Sequence, residues 1–373
     1  MQPNLWGAFA RSAYRRLPDP VSGALDAWQT RRHGGPDRAP ARLDVMTSIG
    51  GGNLDVLQVL LRSLVDCHPR DEIRFHLLYL RLHPQRLAEL AAFCAGLPNL
   101  TLMPLRMPET EDFDRLAQLG GRPYAARFLW FLAHRHLPPD LDRVIFIDPL
   151  DTLVTDDLLP LLRHPLLGQY VAACREAPHA PPILAGPART GGASAARVLR
   201  ISRGIINSGT MVLNLDRLRR DGVDLSPFLR TAEWARSEHG LHFGDQGLFS
   251  LTHGSRYTRL HDRWNHRFHD AGRLRGGRAA AVLHFAGTIP KPFHFRPGAE
   301  HEAQIFRALD RSGARAFRLN DQQVIARHDL PHYRRWWQVC ARCPVHDRIA
   351  GPAAAYAAQV IAAGLSVGDP GAG

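Results

Sequence analysis

The chain has 373 residues and a mass of 41.6 kDa, with 45% hydrophobic and 22% charged residues. This globular composition excludes a wholly disordered chain and leaves room for one large α/β domain with extensions, or for two domains. The net charge is +12 and the isoelectric point is about 10.3, yet Lys291 is the only lysine among 47 basic residues. Arginine suits anionic partners through its bidentate fork, but a coding bias toward arginine gives the same figures. The single lysine is then the residue worth locating.

Residues 1–41 are rich in Arg, Pro and Gly and read as a basic N-terminal extension. An α/β alternation follows. Leu43–Ile49 reads as a buried strand running into the turn Gly50-Gly51-Gly52-Asn53, and Leu54–Val65 has apolar residues at helical spacing. Ile73–Leu80 predicts a second strand, Pro84–Ala95 a helix with proline in its first turn, Leu100–Leu105 a short strand and Pro123–His136 a helix. Arg143–Asp148 is an apolar strand that ends on an acid. Strands separated by helices imply a parallel, doubly wound sheet with ligands at the strand carboxyl ends. Residues 176–203 read as a long Pro/Gly loop. A strand at Thr210–Leu215, helices near 225–238 and 245–252, and a strand at Ala281–Phe285 complete a domain spanning 42–297. The rest, 298–373, is a basic, aromatic C-terminal extension.

No apolar run is long enough for a spanning helix, and no apolar core follows Arg11, Arg15 and Arg16 to make a secretory signal. Cys67, Cys94, Cys174, Cys340 and Cys343 are sparse and odd in number, which argues for a reducing, cytoplasmic setting. Cys340 and Cys343 form a lone CxxC. Two free thiols near the surface are the favoured reading, and zinc with His332 and His346 is the alternative.

Four segments carry chemistry. Phe146-Ile-Asp148-Pro-Leu-Asp151-Thr-Leu-Val154 ends a buried strand with two carboxylates, whose repulsion a divalent cation would relieve. Against that stands Asp151 or Asp156 as the cap of a following helix. Asn207-Ser208-Gly209 enters a β-forming run and offers neutral hydrogen bonds of the kind sugar hydroxyls need; a plain turn is the alternative. Asp245-Gln246 opens a helical stretch, where Asp245 is an N-cap on the plainest view. His284-Phe-Ala-Gly287 lies close to Lys291-Pro292-Phe293.

Taken in order, these segments resemble glycosyltransferase family 8, the retaining nucleotide-sugar transferases that include glycogenin and bacterial lipooligosaccharide galactosyltransferases. The resemblance spans about 43–296 and includes Tyr124-Ala-Ala-Arg127-Phe128 and Arg263-Trp264-Asn265. It implies an α/β GT-A fold, Rossmann-like with a mostly parallel sheet flanked by helices. It also implies a nucleotide-sugar donor, UDP-glucose or UDP-galactose, and Mn2+ or another divalent cation. Asp148, Asp151 and His284 would hold the metal, an oxygen-rich set with one imidazole that suits Mn2+. Lys291 would contact the leaving diphosphate. Thr47, Asn53, Arg127, Asn207, Ser208 and Gly287 would bind substrate, with Asp245 and Gln246 as catalytic candidates near the sugar.

The departures touch the donor site. Two residues, Pro149 and Leu150, separate the acids where the family has one. Gly247 replaces a second acid after Asp245-Gln246, and Gly50–Asn53 stands where an acidic uracil reader is expected, leaving Asn53 as the substitute. These changes keep a catalytically impaired nucleotide-sugar or glycan-binding module as the rival. The acceptor implied is a glycan or a lipid-linked glycan, as in bacterial lipopolysaccharide biosynthesis. A nucleic-acid partner is disfavoured because arginine is spread over the whole length and no zinc-finger, RRM or helix-turn-helix pattern occurs. The tail, with Arg307, Arg311, Arg315, Arg318 and Tyr333-Arg-Arg-Trp336-Trp337, fits either peripheral contact with an anionic membrane or tryptophans packed back onto the protein.

Overall fold

The computed structural model describes residues 20–35, 37–122, 124–176, 205–240, 242–254, 257–267 and 279–364. In chain order the strands are β1 (Arg42–Ile49), β2 (Glu72–Tyr79), β3 (Leu100–Arg106), β4 (Arg143–Ile147), β5 (Thr152–Val154) and β6 (Val171–Arg175). They continue with β7 (Ile206–Asn214), β8 (Tyr257–Arg259), β9 (His266–Arg267), β10 (Val282–His284), β11 (Ala316–Arg318) and β12 (Val324–Ala326). The chain divides into two compact units that interleave along the sequence. One comprises 1–52, 68–149 and 157–265; the other comprises 53–67, 150–156 and 266–373.

The first unit is built on a seven-stranded sheet of order β3-β2-β1-β4-β7-β6-β8. β1 pairs parallel with β2 from Arg42↔Glu72 to Ile49↔Tyr79, and parallel with β4 at Val45↔Ile145. All of β1 but Arg42 is buried, as expected for a parallel strand covered on both faces. β7 runs antiparallel to both β4 and β6, so the sheet is mixed but mostly parallel. The buried hydroxyl of Thr47 donates to Ile147 O at 2.7 Å and ties β1 to β4. Aromatic packing fills one face, with Phe131 stacked on Phe228 at 4.0 Å and Trp130 edge-on to Phe131 at 4.6 Å.

Local structure departs from the sequence pattern at several places. Residues 1–41 read as an extension, yet Pro20–His33 is a helix whose buried Asp26 accepts Trp264 Nε1–H at 2.7 Å. The helix expected at Pro123–His136 is a 3-10 helix at Ala125–Leu132 followed by one α turn at Ala133–His136; Pro123 lies outside the described residues. Thr110–Leu119 is a further helix, and β6 a further strand, that periodicity did not expose. The long loop expected at 176–203 lies outside the described residues from 177 onward.

The second unit holds the three-stranded sheet β5-β10-β9 and the pair β11-β12. β10 is antiparallel to β5, with His284 opposite Thr152, and parallel to β9. Val154 N–H donates to Ser63 Oγ at 3.1 Å, which fixes β5 against the helix Leu57–Cys67. The C-terminal residues form the helices Ala299–Ser312, Leu330–Cys340 and Val345–Ala362. Trp336 and Trp337 are buried, and Trp337 Nε1–H donates to Phe295 O at 3.0 Å. Of the two readings of these tryptophans, packing back onto the protein is the one observed. Cys340 and Cys343 are likewise buried rather than near the surface, and burial pushes their thiols up to about 12 and about 11. No helix among the described residues is long and apolar enough to cross a membrane.

Candidate active site

In the first unit, β7 delivers Asn207, Ser208 and Gly209 and the helix Asp245–His253 delivers Asp245 and Gln246. Helix and strand are joined through Ser250. Its hydroxyl donates to Gln246 O at 2.7 Å and accepts Ile206 N–H at 3.2 Å. Asn207 Nδ2 and Gln246 Nε2 both donate to Glu176 Oε2, at 2.7 and 2.8 Å. The carbonyl ends of the two amides are also engaged. Asn207 Oδ1 accepts Gly209 N–H at 2.9 Å and Asn265 Nδ2 at 2.7 Å, and Gln246 Oε1 accepts Ser208 N–H at 3.3 Å. Each amide therefore has one consistent orientation. The arrangement is a small polar network, not a plain turn.

Asp245 is not the N-cap; Gly244 takes that position in extended conformation. The Asp245 carboxylate instead accepts Trp130 Nε1–H at 3.1 Å. Withdrawal from solvent raises its pKa, against the hydrogen bonds from Ser208 and Trp130 and the charge of Arg127. Arg127 lies over the Phe128 ring at 4.9 Å. Its space is kept by two glycines. A Cβ on Gly120 would meet Arg127 Nη2 at 2.9 Å, and one on Gly244 would meet Nη1 at 3.3 Å. Arg127 Nη2 donates to Gly120 O at 3.4 Å, while its buried Nε has no hydrogen-bond partner among the described residues. Desolvation lowers its pKa, partly offset by Asp245. Asp148 follows β4, half-buried, with its N–H donating to Gly209 O at 2.9 Å.

In the second unit, Asp151 precedes β5 and His284 closes β10, so the antiparallel pairing of these strands brings them together. Phe285 N–H donates to Asp151 O at 2.8 Å. Asp151 therefore leads a strand and caps no helix. His284 Nε2 lies 3.3 Å from Asp151 Oδ1, and both side chains are largely buried. Two ligand atoms each about 2.1 Å from one octahedral cation sit about 3 Å apart, so this pair fits a shared divalent ion. The Lys291 ammonium bonds to the other oxygen of Asp151 and donates to Phe285 O at 2.9 Å. Gly287 turns the chain between His284 and Lys291 with a φ of 80°. Asn53 lies at the start of this unit's first segment in left-handed conformation, φ 54°.

Glu176 and Asn265 were not assigned a role from sequence. Asn265 sat in a recognised motif. Glu176 follows β6, a short strand with a weak sequence signal because its Ala-Ala-Cys centre lacks β-branched residues.

A family model described as glycosyl transferase family 8 matches residues 46–295. The chain belongs to this family. It is a glycosyltransferase, and its mixed sheet with flanking helices is the GT-A fold. Among solved structures it is similar to the galactosyltransferase LgtC in complex with donor and acceptor sugar analogs. That match has a TM-score of 0.52 and 18% identity over 81% of this chain and 96% of that one. It is also similar to the bifunctional glycosyltransferase WbbM in its apo form, with a TM-score of 0.53 and 16% identity over 86% of this chain and 53% of that one. No curated protein sequence matches. At this identity the likenesses show the fold.

Proposed function

We propose that this glycosyltransferase moves a hexose from UDP-glucose or UDP-galactose to a glycan or lipid-linked hydroxyl, with retention of anomeric configuration and with help from Mn2+. The observation that carries the reading is Asp151, a buried carboxylate shared between an imidazole and the ammonium of the chain's only lysine. Asp151 and His284, joined by Asp148 from the preceding strand end, would hold the cation; Pro149, with fixed φ, would shape the longer link between the acids. Bound there, the ion supplies Lewis-acid neutralisation of the diphosphate as the glycosidic bond breaks.

The protein groups then divide the work. Lys291 would leave Asp151 for a phosphate oxygen, a compact charge that grows in value as the leaving group becomes more anionic. Arg127, Asn207 and Ser208 would bind sugar hydroxyls, and Gln246 and Asp245 would face the reacting carbon. Asn53, Thr47 and Gly287 would complete the donor contacts.

Scoring a panel of nucleotide sugars for Mn2+-dependent hydrolysis tests this directly. Turnover of UDP-hexoses that chelation abolishes is expected. Binding of a nucleotide sugar without any turnover would favour the rival reading, an impaired module, for which the extended Asp148-Pro-Leu-Asp151 spacing is the motivating observation. Cytoplasmic placement and a lipopolysaccharide-type acceptor belong to the same proposal. With both tryptophans buried, peripheral contact with an anionic membrane would rest on exposed Arg307, Arg311, Arg315, Arg334 and Arg335. Equal sedimentation of the full chain with anionic and neutral vesicles would remove that element.

A further inference from the structure

The second unit contains a cavity of about 430 Å³ that the sequence motifs account for only in part. Asn53 and Lys291 line it, but so do Arg348, Pro352 and Tyr356 of the helix Val345–Ala362 and Gln323 from the turn before β12. That helix lies wholly beyond the region matched by the family model. It is firmly placed. Val345 N–H donates to Gln58 Oε1 at 3.0 Å, and Arg296 N–H donates to Ala353 O at 3.1 Å. The Arg348 guanidinium grips both oxygens of Asp55 at 2.6 and 2.8 Å.

The lining has a definite chemical character. It carries two cations, Lys291 and Arg348, and no carboxylate. Asn53 and Gln323 add amides, and Tyr356 adds a ring whose hydroxyl donates to Gln323 Oε1 at 3.0 Å. Phe293 and Pro352 supply flat apolar surface. Pro352 has no N–H, so the helical hydrogen bond to the Arg348 carbonyl is missing within this wall. The volume falls in the range of small-molecule sites. An anionic ligand with a flat, hydrogen-bonding heterocycle fits such a lining, and a nucleoside diphosphate has both parts. Its phosphates would lie toward Lys291, whose other neighbour is the Asp151 carboxylate.

We infer that the C-terminal helix and the Gln323 turn form the wall of the donor site that reads the nucleotide base, with Arg348, Tyr356 and Gln323 as recognition residues. This rests on the nucleotide-sugar reading above and adds that the segment beyond the family region takes part in donor selection.

Calorimetric titration of the full chain with free UDP and, separately, with inorganic pyrophosphate tests it, using Tyr356→Ala, Gln323→Ala and Arg348→Ala. Each substitution should weaken UDP by about tenfold, the loss expected for one stacking or hydrogen-bonding group. Pyrophosphate, which has no base, should stay within about twofold for Tyr356→Ala and Gln323→Ala, whereas Arg348→Ala also removes a cation and should weaken pyrophosphate as well. Tyr356→Phe keeps the ring and should fall between wild type and Tyr356→Ala. Thermal unfolding of each variant guards against misfolding, and Gln323→Ala, which removes only an amide, carries the same expectation if Tyr356→Ala does not fold. Unchanged UDP affinity in all three variants, or equal losses for UDP and pyrophosphate in Tyr356→Ala and Gln323→Ala, would overturn the inference. A wild-type chain that binds none of UDP, GDP, ADP and CDP would instead overturn the nucleotide-sugar reading itself.

Discussion

In the first unit Glu176 holds two neutral amides, Asn207 and Gln246, at 2.7 and 2.8 Å; in the second, Asp151 holds an imidazole and an ammonium. Both regions centre on one carboxylate, but they are suited to different tasks. Around Glu176 the amide carbonyls are also bonded, so the geometry is fixed before any ligand arrives. Preset hydrogen-bond directions are what a sugar-binding surface needs to discriminate one hydroxyl pattern from another. Around Asp151 the partners are an imidazole and an ammonium. The Lys291 side chain is 38% exposed while Asp151 is 11% exposed. An ion pair with one exposed member is screened by water and contributes little to stability, so the ammonium can change partner at small cost. On the proposed reading the first region would set geometry and the second would manage charge.

The largest effect should come from breaking the charged region at its centre. Asp151→Ala removes the partner of both His284 and Lys291. Mn2+-dependent donor hydrolysis should fall by about a thousandfold or more, and Mn2+ affinity measured by calorimetry should drop with it. Near-normal turnover would remove Asp151 from the metal site.

Lys291→Ala comes next, with kcat reduced about a hundredfold and KM moved far less, because phosphate charge grows toward the transition state. A change confined to KM would assign the lysine to ground-state binding alone. Lys291→Arg should restore little, since the planar fork does not replace a compact ammonium.

The neutral region should respond in selectivity. Glu176→Ala removes the acceptor that both amides share. Hydrolysis of the preferred UDP-hexose should fall about tenfold and its advantage over epimers should shrink, while affinity for free UDP stays within about twofold. A matching loss of UDP affinity would dissolve the division of labour between the two regions.

The smallest effect is a shift in pH dependence. Trp130→Phe removes a hydrogen bond to the ionised Asp245 carboxylate, whose pKa is already raised by withdrawal from solvent. Losing a donor to the charged form raises it further. If the reaction needs the carboxylate, the acid limb of the pH–kcat profile should move to higher pH. An unmoved limb would show that Asp245 does not titrate in the reaction.

Much of the candidate site was legible because it is made of short segments at strand ends. Asp148, Asp151, Asn207 and His284 each stand at or beside the end of a strand with strong apolar character, which fixes their place in any α/β sheet. Glu176 was not legible, since β6 is short and alanine-rich and its partner β7 is supplied about thirty residues later. The helix Pro20–His33 was hidden for a related reason. Its amphipathic signal is weak, and its fixing contact, Asp26 to Trp264, joins residues at far ends of the first unit.

The sequence by itself determined the strand–helix alternation, the family and the residue types that carry charge and hydrogen bonds, because these follow from local periodicity and from short motifs. Tertiary structure decided which partners those residues meet. It placed Lys291 on Asp151, gathered two amides onto Glu176, and buried Trp336 and Trp337, which exposed arginine neighbours had made look like a surface feature. The physical reason is the same in each case. A side chain's charge and shape are written locally, but its burial and its partners depend on segments distant in sequence that the fold brings to the same place.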